Sequence, residues 1–576
     1  MPKFVWVDPP PIPPSPEPLH PHPVIDALLR QRVGDPSLAA EFLDLSERPI
    51  PDPFALPGMA AAADRTLKAI ANEERIGLYG DYDADGVCSL AIIHHALRAA
   101  SSGVAPLESI VPTRIDGYGL NPRAIERFAE AGVTLLIAAD CASGDHEHVA
   151  LARSRGMDVI IIDHHEMHDS GPEGAFVVSA RAHCGAPYQD LVSTALCLLF
   201  ATALARRGAD VGDGPGQDPR SLLDLAMIAT IADMAPLTGI NRQLVCDGLR
   251  LLRRTPRPGL ATLIASMDRQ PGVADARFIS MHLGPLLNAP GRRSDPRAAF
   301  EILVVEDGDE AQEYVPLLHD ARDWVRKSRA DVGDREFAIL QSDPGLGERR
   351  TIVVTLDDCP PGIAGLIAGD LVGKLQRPVI ALAKDGMIYR GSARSWGDFS
   401  IIGALTELAP LMLRYGGHKG AAGLAIDPER IPEFELALEE IAAREGVISQ
   451  PDPTIVIDVD LPHQHFDVAT VESLLALRPY GVGNREPVLC LRDVAVSRVQ
   501  TMGTPANHLK IHVKVNEGTH DVILWGSADR LHEAAALRRI DVVGRLEKNE
   551  WNNTVRPQFI AEDFRPAGQG SGLLAD

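Results

Sequence analysis

Three continuous apolar segments, each followed by acidic or histidine side chains, restrict the fold of this chain more than any other feature. They span residues 76–79, 133–139 and 157–162. Continuous apolar runs of this length are typical of strands that are buried on both faces of a parallel sheet. Ligands bind beyond the carboxyl ends of such strands, so we expect the polar residues after the three runs to converge at one edge. The pattern predicts an α/β domain with its functional site at that edge.

The first run leads into the motif GDYDADG, which carries Asp81, Asp83 and Asp85. Three carboxylates at alternate positions repel one another unless cations neutralise them, and clusters of oxygen ligands suit hard divalent metals. The alternative is an Asx-rich turn in which Asp85 caps the following helix. An EF-hand loop is disfavoured because Ile92 stands where its twelfth residue, a glutamate, is expected.

The other two runs also end in possible ligands. Asp140 follows the second run, the triplet Asp163-His164-His165 follows the third, and Asp233 ends a helical segment in ATIADMAPL. An aspartate at a strand end can simply cap a helix, and a lone histidine is more often structural than a ligand. Two adjacent histidines after an aspartate favour metal binding, and imidazole among carboxylates favours Mn²⁺ or a similar ion.

The composition narrows the protein class. The chain has 576 residues, of which 45% are apolar and 23% charged, and this predicts a soluble globular protein of three or four domains. The net charge of −23 argues against a protein that coats nucleic acid with its whole surface, although a local basic groove remains compatible. We expect no membrane span, no secretory leader in the Pro-rich first 23 residues, and no disulfide framework or zinc ribbon, because the seven cysteines form no C-x-x-C pair.

The sequence pattern divides the remainder of the chain into three regions. Residues 309–341 read as a long connecting helix, and a second α/β region follows from residue 351, with GSARS at 391–395 and GGHKGAAG at 416–423. After residue 453 the pattern becomes β, and five short strands suggest an OB-fold barrel. The five predicted strands are residues 455–459, 494–502, 508–515, 521–525 and 541–547.

GDYDADG, the strand-end aspartate, the DHH triplet and D-M-A-P-L, in this order, resemble the DHH phosphoesterase superfamily. GSARS and GGHKGAAG look like its associated second domain. With the motif R-P-Y-G-V-G-N-R-E-P at 478–487 and the β-rich region, residues 65–566 resemble the branch of single-strand-specific 5′→3′ DNA exonucleases. The resemblance implies these parts: a Pro-rich extension (1–64), a DHH catalytic domain with a parallel sheet (65–240), a helical connector (241–345), a smaller α/β DHH-associated substrate-binding domain (346–448), an OB-like β-barrel that binds nucleic acid (452–566) and a flexible tail (567–576).

The resemblance also implies two divalent cations, Mn²⁺ or Mg²⁺, and a role for each acidic and histidine residue. Asp140 would bridge the two cations, Asp81 would lie in or near the second metal site, and His165 would lie beside the scissile phosphate. One cation would be held by Asp85, Asp140, His164 and Asp233, and the other by Asp83 and Asp140. Some superfamily members carry a histidine where this chain has Tyr79, so the first site would have one ligand fewer.

By the same resemblance, a second set of residues would bind the DNA. Arg114, Arg292, Ser392 and Arg394 would gather around the 5′-terminal phosphate, whereas surface salt bridges are the alternative for each arginine. Gly416 and Gly417 would let the backbone approach the strand, and His418 would contact a phosphate near the cut. The barrel adds basic and aromatic residues that either track a single strand or form a solvated face: His508, Lys510, His512, Lys514, Trp525, Arg545, Lys548, Trp551 and Arg556.

The resemblance implies a cytoplasmic, monomeric, metal-dependent exonuclease that removes nucleotides from 5′ ends of single-stranded DNA in repair and recombination. A helicase and a single-strand-binding protein are the expected partners. One alternative is a phosphoesterase for short oligonucleotides or small nucleotides, which generally lacks the barrel and long connector. The other is a catalytically silent scaffold of the replication or repair machinery, which typically loses ligand residues that this chain retains.

Overall fold

The computed structural model describes residues 3–15, 17–167, 170–181, 187–209, 218–270, 272, 274–293, 295–449, 453–551 and 554–568. The chain forms two compact units, one of Glu47–Pro451 and the other of Met1–Ser46 together with Asp452–Asp576. Most of the predicted tail, residues 569–576, lies outside the described residues. No helix in the described part of the chain combines the length and the apolar character needed to cross a membrane.

Eighteen strands and nineteen α-helices make up these described parts. The strands are β1 (Val5–Val7), β2 (Ile76–Gly80), β3 (Leu107–Ile110), β4 (Leu135–Ala139), β5 (Asp158–Asp163), β6 (Phe176–Ser179), β7 (Ile352–Leu356), β8 (Val379–Asp385), β9 (Ile388–Arg394), β10 (Arg414–Gly417), β11 (Ala421–Ile426), β12 (Thr454–Val456), β13 (Val459–Asp460), β14 (Leu489–Met502), β15 (His508–Val515), β16 (Gly518–Leu524), β17 (Arg539–Trp551) and β18 (Thr554–Pro566). The helices are α1 (Pro23–Arg32), α2 (Pro36–Leu43), α3 (Met59–Ala71), α4 (Ala84–Ala100), α5 (Pro122–Glu130), α6 (His146–Ser154), α7 (Ser193–Ala209), α8 (Leu223–Ala232), α9 (Gly239–Leu252), α10 (Pro258–Ala265), α11 (Ala276–Phe278), α12 (Gly284–Arg293), α13 (Arg297–Val304), α14 (Gly308–Gln341), α15 (Pro361–Leu375), α16 (Ile401–Glu407), α17 (Ile431–Arg444), α18 (Val468–Leu475) and α19 (Leu531–Ala536).

The first sheet of the larger unit is the predicted parallel sheet, with the strand order β3-β2-β4-β5-β6. The three apolar runs form β2, β4 and β5, and all residues of β2 and β4 are buried. Gly80 pairs with Ala139, and Ala139 pairs with Ile162. This register aligns the carboxyl ends of the three strands, so the acidic residues after them share one edge, as predicted.

The turn between β2 and α4 is built from its own aspartates. Asp83, rather than the Asp85 of the Asx-turn alternative, caps α4, because its Oδ1 accepts hydrogen bonds from the backbone N–H of Asp85 (2.9 Å) and Gly86 (3.1 Å). Gly86 is required for the close approach of the chain, since a Cβ there would lie 2.3 Å from the carbonyl oxygen of Asp81. The tight turn leaves Asp85 in the first turn of α4, facing the start of α7.

The long helix α14 and a second sheet complete the larger unit. Helix α14 confirms that the segment predicted as a long helix is helical, and it packs on α10, α12, α13 and α15. The second sheet has the order β10-β11-β9-β8-β7, in which β7 and β8 are parallel and the other neighbours antiparallel. This sheet carries Ser392 and Arg394 on β9, and His418 directly after the edge strand β10.

The smaller unit contains a six-stranded sheet of order β13-β14-β15-β16-β18-β17, and β14 also pairs with β17. The sequence assigned residues 1–64 to an extension, whereas the structure packs the first 46 residues into this unit. Strand β1 pairs with β12, Trp6 is only 1% exposed, and its indole N–H donates to Asp563 (3.0 Å). Apolar residues of α1 enter the core of this sheet, which is the physical reason for the different boundary.

Candidate active site

Carboxylates from two strand ends form the first half of the candidate metal centre. Oxygen atoms of Asp81, Asp83 and Asp140 lie within 4.8 Å of one another. Asp81 and Asp140 are buried, and each has an Oδ1 atom that lacks a hydrogen-bond partner among the described residues. A buried carboxylate oxygen without a partner is costly unless a cation compensates it. The arrangement therefore fits a divalent cation between the two strand ends.

A second group of possible ligands adjoins the first. Ligand atoms of Asp85, His164 and Asp233 lie within 4.8 Å of one another. The His164 Nε2 atom is 3.8 Å from Asp85 Oδ2, 3.6 Å from Asp140 Oδ1 and 4.0 Å from Asp233 Oδ2. Asp140 therefore lies between the two groups, in the position that a bridging carboxylate needs.

Asp85 is fixed by the beginning of helix α7. Its Oδ2 accepts from the Ser193 backbone N–H (2.9 Å), and its Oδ1 accepts from the Thr194 backbone N–H (2.9 Å) and hydroxyl (2.5 Å). Sequence reasoning had no basis for selecting Ser193 or Thr194, because they lie more than a hundred residues from Asp85. These bonds orient the carboxylate before any ligand arrives.

The electrostatics of the cluster favour cation binding. Burial, followed by neighbouring carboxylates, raises the pKa of Asp81 and of Asp233 to about 8, and burial also raises the pKa of Asp85 and Asp140. Burial and the neighbouring His165 lower the pKa of His164 to about 4, which keeps its imidazole in the neutral form that ligates metals. Without a cation, the cluster relieves its repulsion by retaining protons.

His165 is held in a different way, by Asp163. Its Nδ1 lies 2.7 Å from Asp163 Oδ1, and Ser143 donates its backbone N–H to Asp163 Oδ2 (3.2 Å). Burial lowers the pKa of His165, but the hydrogen bond and charge of Asp163 outweigh this effect and raise the pKa to about 9. The Tyr118 hydroxyl is a further neighbour at 2.9 Å from Nδ1. Sequence reasoning assigned no role to Asp163 or Tyr118, although Asp163 is part of the motif itself.

The backbone of Asp140 is strained in a way that the sequence does not reveal. Its φ of 61° lies in the left-handed region, and its N–H donates to the carbonyl of Ile162 on the neighbouring strand (2.9 Å). Non-glycine residues rarely adopt this conformation, and aspartate and asparagine tolerate it best. The strain coincides with the carboxylate that lies between the two ligand groups.

Tyr79, the departure from the superfamily pattern, faces another environment. It is fully buried, and its hydroxyl donates to the carbonyl of Gly119 (2.7 Å) and accepts from Asn121 (3.0 Å). The phenol is therefore engaged away from the carboxylates by hydrogen bonds of its own.

Three arginines predicted to contact phosphate converge beside the metal centre. Burial, followed by the charge of Arg114, lowers the pKa of Arg292 to about 10, and the same two causes lower the pKa of Arg394. The Arg292 guanidinium donates to the Gly362 carbonyl (3.1 Å), and that of Arg394 to its neighbour's carbonyl at Ala393 (2.9 Å). Within the described ranges none of the three forms an ion pair, which disfavours the salt-bridge alternative and leaves their charge available for an anion.

Ser392 lies in the same pocket, close to a helix backbone. A Cβ at Gly365 would lie 2.7 Å from the Ser392 hydroxyl and 3.0 Å from an Arg394 nitrogen, so a side chain at this point of α15 would displace both pocket groups. Arg114 approaches from the loop after β3, with its guanidinium 4.5 Å from the centre of the Tyr82 ring. Tyr82 lies between Asp81 and Asp83, so the pocket and the metal centre are adjacent.

The glycines predicted to approach DNA differ in their surroundings. A Cβ at Gly416 would meet open space, whereas a Cβ at Gly417 would lie 2.4 Å from the Cα of Ala422. Gly417 is therefore needed by the β10–β11 hairpin itself, and its φ of 146° adds to this need. His418 is exposed, and its ring lies 6.3 Å from that of His165 in a nearly parallel orientation.

The smaller unit places His508, Lys510, His512 and Lys514 on one face of β15, because the residues between them are buried. Asp521 on β16 pairs with Lys510 (2.7 Å) and with His512 (2.8 Å), which reduces the positive charge of this face. Further pairs are Arg545 with Glu547 (2.8 Å) and Lys548 with Glu472 (3.0 Å). Trp525 and Arg556 are exposed, and the side chain of Trp551 lies outside the described residues.

Comparisons with known proteins agree with this architecture. Three family profiles match: the DHH family N-terminal domain over residues 75–230, the DHHA1 domain over 349–444 and the RecJ OB domain over 457–563. The single-stranded-DNA-specific exonuclease RecJ of Bacillus subtilis is 33% identical over 558 residues, which cover 95% of this chain and 68% of that protein. The corresponding exonuclease of Thermus thermophilus is 31% identical over 90% of this chain and 73% of its own length.

Solved structures give the same result. The crystal structure of RecJ from Thermus thermophilus in complex with Mn²⁺ matches with a TM-score of 0.79 and 27% identity, covering 100% of this chain and 81% of that one. Its counterpart with Mg²⁺ matches with a TM-score of 0.75 and 25% identity, covering 100% of this chain and 80% of that one. The profiles, the curated relatives and the shared fold agree, and the chain belongs to the RecJ family of the DHH phosphoesterases.

Proposed function

We infer that this protein is a metal-dependent exonuclease specific for single-stranded DNA, and we propose that it releases nucleotides from the 5′ end. The observation that carries the proposal is the position of an arginine pocket directly beside a carboxylate–histidine cluster. The charges of both Arg114 and Asp83 affect the pKa of Arg292, so the anion pocket and the metal centre are close enough to interact electrostatically. An exonuclease needs this combination: one site that cuts and another that measures the distance to an end.

The donor set supports two divalent cations, Mn²⁺ or Mg²⁺. When bound, such a pair provides an activated water and stabilises the leaving oxygen of a phosphodiester. Asp85, His164 and Asp233 would hold one cation, Asp83 the other, and Asp140 both. Asp81 completes the second group, and its Oδ1, which has no partner among the described residues, supports this place.

His165 contributes charge and orientation. Asp163 fixes the proton on Nδ1, so Nε2 is the nitrogen left to contact a phosphate oxygen. The raised pKa of His165 supports a role as a cationic group beside the scissile phosphate, where negative charge increases during in-line attack. His418 lies opposite His165, and this position supports a contact between His418 and the neighbouring phosphate.

The arginine pocket would determine the end of the strand from which cleavage proceeds. Guanidinium groups offer forked donors of permanent charge, and Arg292, Arg394 and Ser392 together suit the several oxygens of a terminal phosphate. Arg114 approaches from the DHH part of the unit. A terminal phosphate held there would place the first phosphodiester at the metals.

We further propose that the protein works as a monomer in the cytoplasm, after a helicase and alongside a single-strand-binding protein. A nuclease specific for single strands needs a strand that has already been separated. The six cysteines among the described residues are free, as is typical of a reducing compartment. Sedimentation of the purified protein, with and without a single-strand-binding protein, tests the monomer and the association.

The direct test is digestion of a single strand labelled at either end. We expect a 3′-labelled strand to shorten progressively while a 5′ label is released at once as a mononucleotide. Cleavage should require Mn²⁺ or Mg²⁺ and stop with a chelator, and a blunt duplex of the same sequence is the control. Shortening of a 5′-labelled strand from its 3′ end would refute the proposed polarity, and equal digestion of the duplex would refute strand specificity.

Metal binding is expected to release protons at pH 7. Because the pKa values of Asp81 and Asp233 are raised to about 8, both carboxyls are largely protonated in the metal-free protein and must lose protons to bind a cation. Mn²⁺ affinity should therefore rise between about pH 6 and pH 8 and level off above. Calorimetric titrations in two buffers of different ionisation enthalpy measure the number of protons released, and zero release would contradict the expectation.

The smaller unit is expected to matter for long strands only. The double variant Lys514→Ala/Trp525→Ala removes an exposed cation and an aromatic ring that is 54% exposed. Stacking and charge at such sites are worth about 1–3 kcal/mol per base, so the KM for a 40-nucleotide strand should rise about tenfold or more. Hydrolysis of a trinucleotide, which offers few nucleotides beyond those at the metal centre, serves as the internal control. An equal loss on both substrates would mean that the change acts through folding.

A further inference from the structure

An exposed tryptophan follows the strand that forms the phosphate pocket. Trp396 lies two residues after Arg394, and its side chain is 40% exposed. Tryptophan is the largest apolar side chain and carries a flat aromatic ring, so an exposed one beside a polar site is available to contact a ligand. Nothing in the roles given above to the metal ligands, the arginines or the hairpin uses this ring.

The extended backbone of β9 continues from the pocket almost to Trp396. Strand β9 pairs with β11 up to Arg394 and Ala421, and the Ser395 N–H then donates to the Gly420 carbonyl (2.9 Å). The extended pairing therefore continues one residue beyond the strand. Alternate residues of an extended chain share a face, so the alternation predicts Trp396 on the face of Ser392 and Arg394.

The loop of Trp396 also borders the side of the site that holds His418. Asp398 pairs with Lys419 (3.3 Å), and the Ile401 N–H donates to the carbonyl of Lys419. These contacts attach the loop to the turn that follows β10, whose His418 ring faces His165. The loop that carries Trp396 is thus joined at one end to β9, which carries Arg394, and at the other to the turn that carries His418.

The spacing suits one nucleotide. Alternate residues on a strand are about 6.6 Å apart, which is comparable with the separation between the 5′-phosphate of a nucleotide and its own base. A phosphate held by Arg394 would place the attached base near the position of Trp396. Every base presents a flat π-surface, so stacking on an indole adds grip without sequence preference.

We propose that Trp396 forms the subsite for the 5′-terminal nucleobase, which stacks on its indole while Arg394 and Ser392 hold the phosphate. This inference rests on the proposed function and deepens it. A terminal base can turn onto the indole only if it is free of its complement and of its neighbour in a duplex. Trp396 therefore contributes to the selection of single strands, in addition to gripping the first nucleotide.

The test compares an intact strand with one whose first nucleoside is an abasic tetrahydrofuran residue that keeps its 5′-phosphate. The rate of the first cleavage is measured for the wild type and for Trp396→Ala. We expect the wild type to show a KM about tenfold higher on the abasic strand, and Trp396→Ala to show the same rise on the intact strand. The abasic strand has no base to stack, so Trp396→Ala and the wild type should have the same KM on that strand.

Two control variants separate stacking from folding. Trp396→Phe keeps a flat ring and should retain most of the affinity. Met387→Ala changes an exposed residue in the turn before β9, at the other end of the strand, and should behave as wild type. An unchanged KM of Trp396→Ala on the intact strand, or an equal loss on both strands, would overturn the base subsite. Failure of the wild type to digest any single strand would instead refute the proposed function, so the two failures are distinguishable.

Discussion

Asp140→Asn and Asp140→Ala are both expected to abolish cleavage while binding of single-stranded DNA remains measurable. Asp140 lies between both groups of possible ligands, so its loss affects the pair of cations rather than one site. In-line cleavage that depends on two cations should fall by at least a thousandfold, on the order of the loss of a major electrostatic contribution. Single-turnover cleavage at saturating Mn²⁺ measures the effect, and activity within tenfold of wild type would refute the bridging role.

The asparagine variant distinguishes this effect from misfolding. Asparagine tolerates the left-handed conformation of residue 140, whereas alanine does so less readily. Burial and repulsion by neighbouring carboxylates raise the pKa of Asp140, so at neutral pH the metal-free fold loses stability by burying this group, whether it stays ionised or takes up a proton. Asp140→Asn should therefore melt at the same or a higher temperature than wild type in chelator, yet gain less from added Mn²⁺. A lower melting temperature in chelator would contradict this explanation.

Arg394→Ala is expected to erase most of the preference for a 5′-phosphate over a 5′-hydroxyl. A two-metal centre cuts phosphodiesters without distinguishing the two ends of a strand. Cleavage from one end therefore requires a separate site, here called the stop, that binds one terminus and halts the strand there. Arg394 lies in the pocket with Ser392 and the two other arginines, and a charged hydrogen bond of this kind is worth about 1.5–3 kcal/mol. The KM for phosphorylated strands should rise about tenfold to a hundredfold.

The measurement is the ratio of kcat/KM for phosphorylated and hydroxyl-ended strands in the wild type and the variant. Calorimetric Mn²⁺ affinity should be nearly unchanged, because the hydrogen bonds of Arg394 go to Ser392 and Ala393 rather than to a proposed ligand. Arg390→Ala, which alters an arginine on the same strand that pairs with Asp385, is the matched control. If the wild type shows no preference, or the variant keeps it, Arg394 is not part of the stop.

The three central strands of the parallel sheet, β2, β4 and β5, were predictable because they are buried on both faces. Once β2, β4 and β5 were assigned from apolar runs, the rule that ligands lie at carboxyl ends brought Asp81, Asp140 and the histidines together without further information. The aspartates of the GDYDADG turn were equally accessible, because their spacing has few other physical explanations. Local patterns therefore carried most of the metal centre.

The contacts that complete the site come from residues far apart in the chain, and no local pattern records them. Arg114, Arg292 and Arg394 belong to a loop, a helix and a strand, and only the fold shows that their charges meet. The left-handed backbone of Asp140 is likewise a property of its surroundings. In the smaller unit, β18 escaped prediction because its charged residues and Pro557 mask the alternation of a strand.

The predicted strand 455–459 shows the same limit on a smaller scale. The structure divides it into β12, which pairs with β1, and β13, which pairs with β14. Asp458, between the two strands, accepts from Arg485 (2.7 Å) and from the Val488 N–H (2.8 Å). Apolar periodicity alone cannot show that one segment serves two partners.

The pairing of β1 with β12 has a consequence for the order in which a newly made chain can assemble. Val5 meets Thr454, so the first strand stays without its partner until about 450 further residues have been synthesised. At ribosomal rates this interval is roughly 20–90 s, ample time for the intervening segment to acquire its own core. The ribosome-bound nascent chain would therefore hold a formed nuclease centre before it has a finished surface for gripping long strands. Trp6 and α1 would meanwhile remain available to chaperones, and their burial would mark the completion of the smaller unit.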